Sequence, residues 1–270
     1  VFVTGDSYID HSSFAAAVLS RTLEKFGYKV GIIPQPDWKE LSSFKVLGKP
    51  RLAFLVNSGN IDSMVNHYTT FKKRRHQDSY SPGGKAGLRP DRAVTVYSNR
   101  IREAYKDIPV IIGGIEASLR RFSHYDYWSD SVKRSVLLDS GADLLVYGMG
   151  EKVLIEIAEA LESGIPVEEI TFINQTVYKT KDRERPYNPI FLPDYNEVVS
   201  SKKKYGESFK IQYENTDSKS ARTLVEPYNT VYVVQNPPME ILSQHELDDI
   251  YDMDYMRDYH PMYKNLGVPA

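Results

Sequence analysis

The sequence contains no cysteine at all. That excludes disulfides, thiolate nucleophiles and cysteine-held clusters within its 270 residues. Long apolar runs are missing too: none approaches the roughly 18 residues of a membrane span. No signal peptide is visible either. No membrane association is expected, and a cytoplasmic location fits a cysteine-free chain. Neither charge sign prevails. The formal net charge is -2, with 34 Lys and Arg against 36 Asp and Glu, so nucleic-acid binding would need a local patch. No internal repeat or low-complexity segment is evident. The chain begins at Val1 inside an expected strand, and the absent methionine points to a trimmed chain.

What is present suits a globular protein. Hydrophobic residues make up 41% of the chain, enough for an ordinary core. Apolar runs at residues 1–4, 28–33, 51–56, 108–112 and 143–147 read as buried strands. Helical patterns lie between them. One spans residues 14–26, capped by Ser12 or Ser13 and closed by Gly27, and a short one starts at Trp38 behind Asp37. Another spans 91–106 with Pro90 in its first turn, a fourth runs from an Asp130 cap to Leu138, and a fifth covers 151–162. Strict alternation predicts an α/β domain over residues 1–165, with a flavodoxin-like parallel sheet in the order 2-1-3-4-5 under the right-handed crossover rule. Residues 166–240 read as an α+β extension. Its strands lie near 176–179 and 230–234, and a Lys-rich helical stretch covers 194–213. Residues 241–270 are acidic and tyrosine-rich, with one short helix near 243–251, and read as a linker.

The longest strand connection organises the candidate site. Residues 113–130 read Gly-Gly-Ile-Glu-Ala-Ser-Leu-Arg-Arg-Phe-Ser-His-Tyr-Asp-Tyr-Trp-Ser-Asp, where a plain strand-to-helix loop needs about 2–6 residues. Gly113 and Gly114 allow a sharp turn or a close approach to a ligand. Glu116, His124 and Asp126 are the candidate catalytic groups, since acid–base work needs a carboxylate or an imidazole. Arg120 and Arg121 either clamp a carboxylate or phosphate, or form salt bridges to Glu116 and Asp130. Tyr125, Trp128 and Asp130 complete the loop's candidate binding surface. In open α/β sheets ligands bind beyond the carboxyl ends of the strands. Segments 4–11, 57–66 and 148–151 leave that same edge, which adds Asp6, Asp10, His11, Asn60 and Asp62 as candidate substrate-binding residues. Gly148-x-Gly150 matches no complete phosphate-binding motif and reads as structural. His124-x-Asp126 and Asp10-His11 resemble fragments of a metal site, but no metal is assigned to them. The basic run at 72–76 lacks interleaved aromatics and reads as a solvated helix face.

Several of these stretches resemble one family along essentially the whole chain. They include Val3-Thr4-Gly5-Asp6-Ser7-Tyr8-Ile9-Asp10-His11, Gln35-Pro36-Asp37-Trp38, Ser58-Gly59-Asn60-Ile61-Asp62-Ser63-Met64 and Arg89-Pro90-Asp91-Arg92. The most specific are Gly113-Gly114-Ile115-Glu116-Ala117-Ser118-Leu119-Arg120-Arg121 and His124-Tyr125-Asp126-Tyr127-Trp128-Ser129-Asp130, and Asn236-Pro237-Pro238 and His260-Pro261-Met262-Tyr263 extend the match. Together they are similar to the YgiQ family of radical-SAM proteins. The resemblance implies a region preceding a radical-SAM barrel, with residues 241–270 leading toward it. In the family that barrel carries a C-x3-C-x2-C motif for a 4Fe-4S cluster that binds S-adenosylmethionine. No cofactor is expected within this chain, and both belong to the full-length parent. The N-terminal unit also resembles the cobalamin-binding-type Rossmann domain. The D-x-H-x-x-G motif is absent, however: Asp10 and His11 are adjacent and Phe14 stands at the glycine position.

Three functional readings follow. In the first, the chain is the N-terminal domain of a radical-SAM enzyme of unassigned substrate. It is catalytically silent alone and shapes or covers the substrate site, and its partner is its own missing barrel. The second is a cobalamin- or nucleotide-binding module. The third is an RNA-binding adaptor, although nucleic acid is not an expected partner.

Overall fold

The computed structural model describes residues 1–267, so the last three residues of the expected linker lie outside the described residues. The chain opens with β1 (Phe2–Thr4), β2 (Ile9–Asp10) and α1 (Ala15–Lys25). It continues through β3 (Ile32–Pro34), β4 (Phe54–Asn57), α2 (Ser63–His67) and α3 (Ala93–Ala104). Then come β5 (Val110–Ile112), α4 (Gly114–Leu119), the hairpin β6 (His124–Asp126) and β7 (Ser131–Lys133), and α5 (Val136–Asp139). The first unit closes with β8 (Leu144–Val146) and α6 (Glu151–Glu162).

Strands β3-β1-β4-β5-β8 are neighbours in that order and all run parallel, as the alternation and crossover rule predict. Their side chains alternate between two buried layers. Val3, Phe54, Val56, Val110, Ile112 and Leu145 pack with Tyr97 and Ile101 of α3 on one face. Phe2, Ile111, Leu144 and Val146 pack with Leu23 of α1 and Val153, Leu154 and Ile157 of α6 on the other. Both faces are covered, which is why these strands read as continuous apolar runs rather than alternating ones.

The chain goes on through β9 (Thr176–Thr180), β10 (Ile190–Phe191), α7 (Tyr195–Ser200), α8 (Lys202–Glu214), β11 (Leu224–Tyr228) and β12 (Val231–Gln235). Strand β9 pairs antiparallel with β8, β12 with β9 and β11 with β12, while β10 runs parallel to β11. The extension therefore lengthens the first sheet to nine strands. The Lys-rich stretch is two helices, because Ser201 breaks the first and caps the second through Lys204 N. Helix α9 (Gln244–Tyr251) starts from a Ser243–Glu246 capping box. Beyond it β13 (Asp258–Tyr259) returns to pair with β2.

Four local helix-start signals failed. Neither Ser12 nor Ser13 caps α1, whose N-cap is Phe14. Asp37 only accepts from Lys39 N at 3.0 Å, and a 3-10 turn forms later, at Leu41–Phe44. Helix α3 starts at Ala93, not in a turn with Pro90, because Arg92 adopts a left-handed conformation (φ 52) and sends its guanidinium to Asp126. Asp130 caps no helix. It sits at φ 50 in the β6–β7 turn, and Ser135 caps α5 instead.

Candidate functional site

The carboxyl ends of β1 and β4 meet where the strand order reverses, and there the protein fills the crevice itself. Thr4 Oγ1 donates to Asn57 Oδ1 at 2.7 Å across the two strands. Gly5 is required beside them, because a Cβ would overlap the Ser58 carbonyl. Arg89, 1% exposed, enters the gap. Its Nη1 donates to Ser58 O at 2.7 Å and lies 2.9 Å from Asp6 Oδ1, while Nη2 reaches Asp78 at 3.1 Å. Asn60 N donates to Asp6 Oδ2 at 2.6 Å. Burial pushes the Asp6 carboxyl up to about 6, against the opposing pull of Arg89.

Next to this network one buried carboxylate ties two helix starts together. Glu116, on α4 and 1% exposed, accepts from Ser63 N of α2 at 2.9 Å and from Val94 N of α3 at 3.0 Å. Helix N-termini present unpaired N–H groups and partial positive charge, so a carboxylate there satisfies both. Burial pushes Glu116 up, the Asp62 charge adds to that, and Arg120 opposes it. Asp62 caps α2 through Met64 N at 2.9 Å and pairs with Arg120. Arg120 thus pairs with Asp62 rather than with Glu116 or Asp130.

The hairpin continues the cluster outward. Asp126, 3% exposed, pairs with Arg92 at 2.7 Å and accepts from Ser129 N at 3.0 Å. Burial alone would raise its pKa, but the bonds from Ser129 and Arg92 outweigh that and hold it below the usual range. His124 contacts the Phe122 carbonyl through Nδ1 at 3.1 Å, not Asp126, and burial lowers its pKa. Tyr125 donates to Asp130 at 2.5 Å. Trp128 packs against Tyr68 and Tyr127. The basic run lies against this hairpin: Lys72 Nζ sits 4.7 Å from the Tyr127 ring, and Tyr127 donates to Thr70 O at 2.6 Å. It is exposed but not helical, since Lys72 takes a left-handed turn (φ 59) and Arg74 forms a β-bridge with Tyr68.

The fold therefore brings together Asp6, Asn60, Asp62, Glu116 and Arg120, and links them to the hairpin carrying His124, Tyr125, Asp126, Trp128 and Asp130. Asp10 and His11 stand apart. Asp10 pairs with Arg21 and accepts from Met256 N at 3.0 Å, and His11 Nδ1 accepts from Ser13 N at 3.0 Å. Arg89, Asp78 and Arg92 escaped the residue-by-residue reading. Arg89 and Arg92 had one signal, the Arg89-Pro90-Asp91-Arg92 stretch within the family resemblance, and Asp78 had none.

Two cavities flank the sheet. One of about 280 Å³ opens at the strand ends, among Asn57, Gly113, Gly114, Gly148, Gly150 and Glu151. The larger, about 590 Å³, lies at the opposite edge between α1 and α6, far from the loop cluster. Among the described residues no group of three or more His, Cys, Asp and Glu is arranged to hold a metal ion. With no cysteine in the sequence, these residues do not fit a 4Fe-4S cluster, which needs thiolate ligands. Among the described residues no helix is long and apolar enough to cross a membrane.

Comparison with known proteins agrees with the sequence resemblance. A family model described as radical SAM N-terminal matches residues 1–270. A UPF0313 protein of Clostridium botulinum (strain ATCC 19397) is 56% identical over 271 residues, covering all of this chain and 42% of the relative. A UPF0313 protein of Clostridium perfringens (strain 13) is 55% identical over 272 residues, covering all of this chain and 41% of the relative. The chain thus spans about two-fifths of the length of the curated relatives it matches. No solved structure matches it. A nine-stranded α/β sheet, the motif-bearing loops at its carboxyl edge and a match over every residue lead to one assignment: the chain belongs to the radical SAM N-terminal family, as the N-terminal region of a UPF0313 (YgiQ-type) protein.

Proposed function

We propose that this domain serves a radical-SAM, iron–sulfur enzyme by docking its strand-end loops against a barrel elsewhere in the parent protein, where they shape or cover the substrate site. One observation carries the reading. The loop cluster pairs Asp62 with Arg120 and Asp126 with Arg92, yet shows apolar side chains at that edge: Val65 of α2 is 51% exposed, Ile115 and Leu119 of α4 43% and 60%, and Met149 55%. Ile115 and Leu119 are four residues apart and so share one helix face. Exposed apolar groups gathered on a rigid, polar-rimmed surface mark an interaction site. The 4Fe-4S cluster and S-adenosylmethionine would bind in the barrel, and a cytoplasmic location goes with this reading. Hydrogen exchange tests it. Residues 113–121 exchange more slowly in the full-length protein than in the 270-residue chain if the docking holds, and equal rates refute it.

A second reading draws on the 280 Å³ cavity at the strand ends, which is suited to a cobalamin fragment or a nucleotide. An absorption spectrum of protein purified with its ligand distinguishes it, since a corrin colours the protein and a nucleotide absorbs near the protein band. No comparable observation favours the RNA adaptor, because Lys72 and Tyr127 of the basic region and hairpin already pair with each other.

A further inference from the structure

We infer that Arg121 is an oxyanion-binding residue at the carboxyl edge of the sheet, receiving the carboxylate or phosphate group of a substrate. The inference rests on the reading above, in which this edge faces the substrate. Arg121 follows directly on Arg120, but the two meet opposite fates. Among the described residues every other arginine of comparable burial has a carboxylate within ion-pair distance, as Arg120 has Asp62 and Arg92 has Asp126. Arg121 has none. A cation withdrawn from water without a counter-ion is costly, so its retention calls for an anion.

The surroundings hold the guanidinium without neutralising it. Nε donates to Gln235 Oε1 at 2.6 Å, and Nη1 donates to the Ser118 carbonyl at 2.7 Å. The group lies 5.4 Å from the Tyr147 ring centre and 5.9 Å from that of Phe122. A guanidinium has five N–H donors. Two are taken by neutral oxygens, and both Nη2 hydrogens and one on Nη1 have no partner among the described residues. These are the donors that a carboxylate or phosphate engages in fork geometry. Tyr147 directly follows β8 and Gln235 ends β12, whose direction matches that of β8 through the antiparallel β9. The guanidinium therefore sits at the carboxyl edge, with exposed Met149 two residues beyond Tyr147. Desolvation also lowers its pKa, consistent with an uncompensated charge.

Calorimetric titration of inorganic phosphate and of succinate at constant ionic strength tests the inference. It uses the full-length protein and the 270-residue chain, each as wild type and as Arg121→Gln. Saturable binding of at least one anion in both proteins is expected, with affinity at least about tenfold weaker in Arg121→Gln. No saturable binding, or equal binding by Arg121→Gln, overturns it. Binding in the short chain that vanishes in the full-length protein also overturns it, since a carboxylate of the parent protein then fills the site. A second variant guards against simple misfolding. Arg121→Met should melt within a few degrees of wild type while Arg120→Met melts much lower. Equal losses would make Arg121 a structural tie and defeat the inference. The exchange experiment at residues 113–121 reads docking separately, so failed docking and failed anion binding are distinguishable.

Discussion

Replacing Glu116 by alanine should be among the more damaging single changes in this domain. Its two carboxylate oxygens accept from Ser63 N and Val94 N, at 2.9 and 3.0 Å, and so join the starts of α2 and α3. Alanine leaves both amides without an acceptor in a region closed to water. A buried donor left unsatisfied costs about 1–3 kcal/mol, so the pair costs about 2–6 kcal/mol. Part is offset, because a carboxylate buried at unfavourable cost is removed with it. A net loss of about 2–4 kcal/mol remains, or about 4–16 °C in melting temperature for a chain near this size. Glu116→Gln should fall between wild type and alanine, since an amide oxygen still accepts while its NH2 opposes the second donor. Lys72→Ala, at an exposed position, should stay within about 0.5 kcal/mol of wild type. Urea melts of the three variants decide the matter. A Glu116→Ala midpoint indistinguishable from that of Lys72→Ala would refute the double-cap argument.

Two further predictions concern charge. Asp6 is raised from its ordinary value of 3.8 to about 6, so the native state holds the proton more tightly than the unfolded chain. Its contribution to stability is full below about pH 4 and lost as the pH rises through 6, a change of about 3 kcal/mol. Asp6→Asn should therefore gain on wild type between pH 4 and 7 in paired melts, and a flat difference would refute the raised Asp6 carboxyl. The hairpin should separate its two candidate catalytic groups. Asp126→Ala strands Arg92 and should cost about 1.5–3 kcal/mol, whereas His124→Ala loses one carbonyl contact and should cost less than about 1.5 kcal/mol. Under the proposed function, activity of the full-length protein lost by His124→Ala at unchanged melting temperature would mark a chemical role. Parallel falls in both would mark a packing role.

The strand order and the buried character of five strands were legible in the sequence, because apolar runs and right-handed crossovers are local or nearly local constraints. The C-terminal ends of α1 and α6 were equally readable, since a glycine, Gly27 or Gly164, follows each within one turn. The partners of the charges were not. Asp62 and Arg120 pair across 58 residues, and Glu116 bonds Ser63 across 53, so only the stacking of α2, α3 and α4 beside the sheet brings them together. The same holds for Arg92, whose long-range bond to Asp126 displaced the helix start that Pro90 signalled. Arg120 and Arg121 are the sharpest case. Two identical neighbours leave the end of α4 in different directions, one toward the α2 cap and the other toward the ends of β8 and β12. Sequence supplied the pair of cations. The direction of the backbone beyond Leu119, fixed by packing on the sheet, determined which one has a counter-ion.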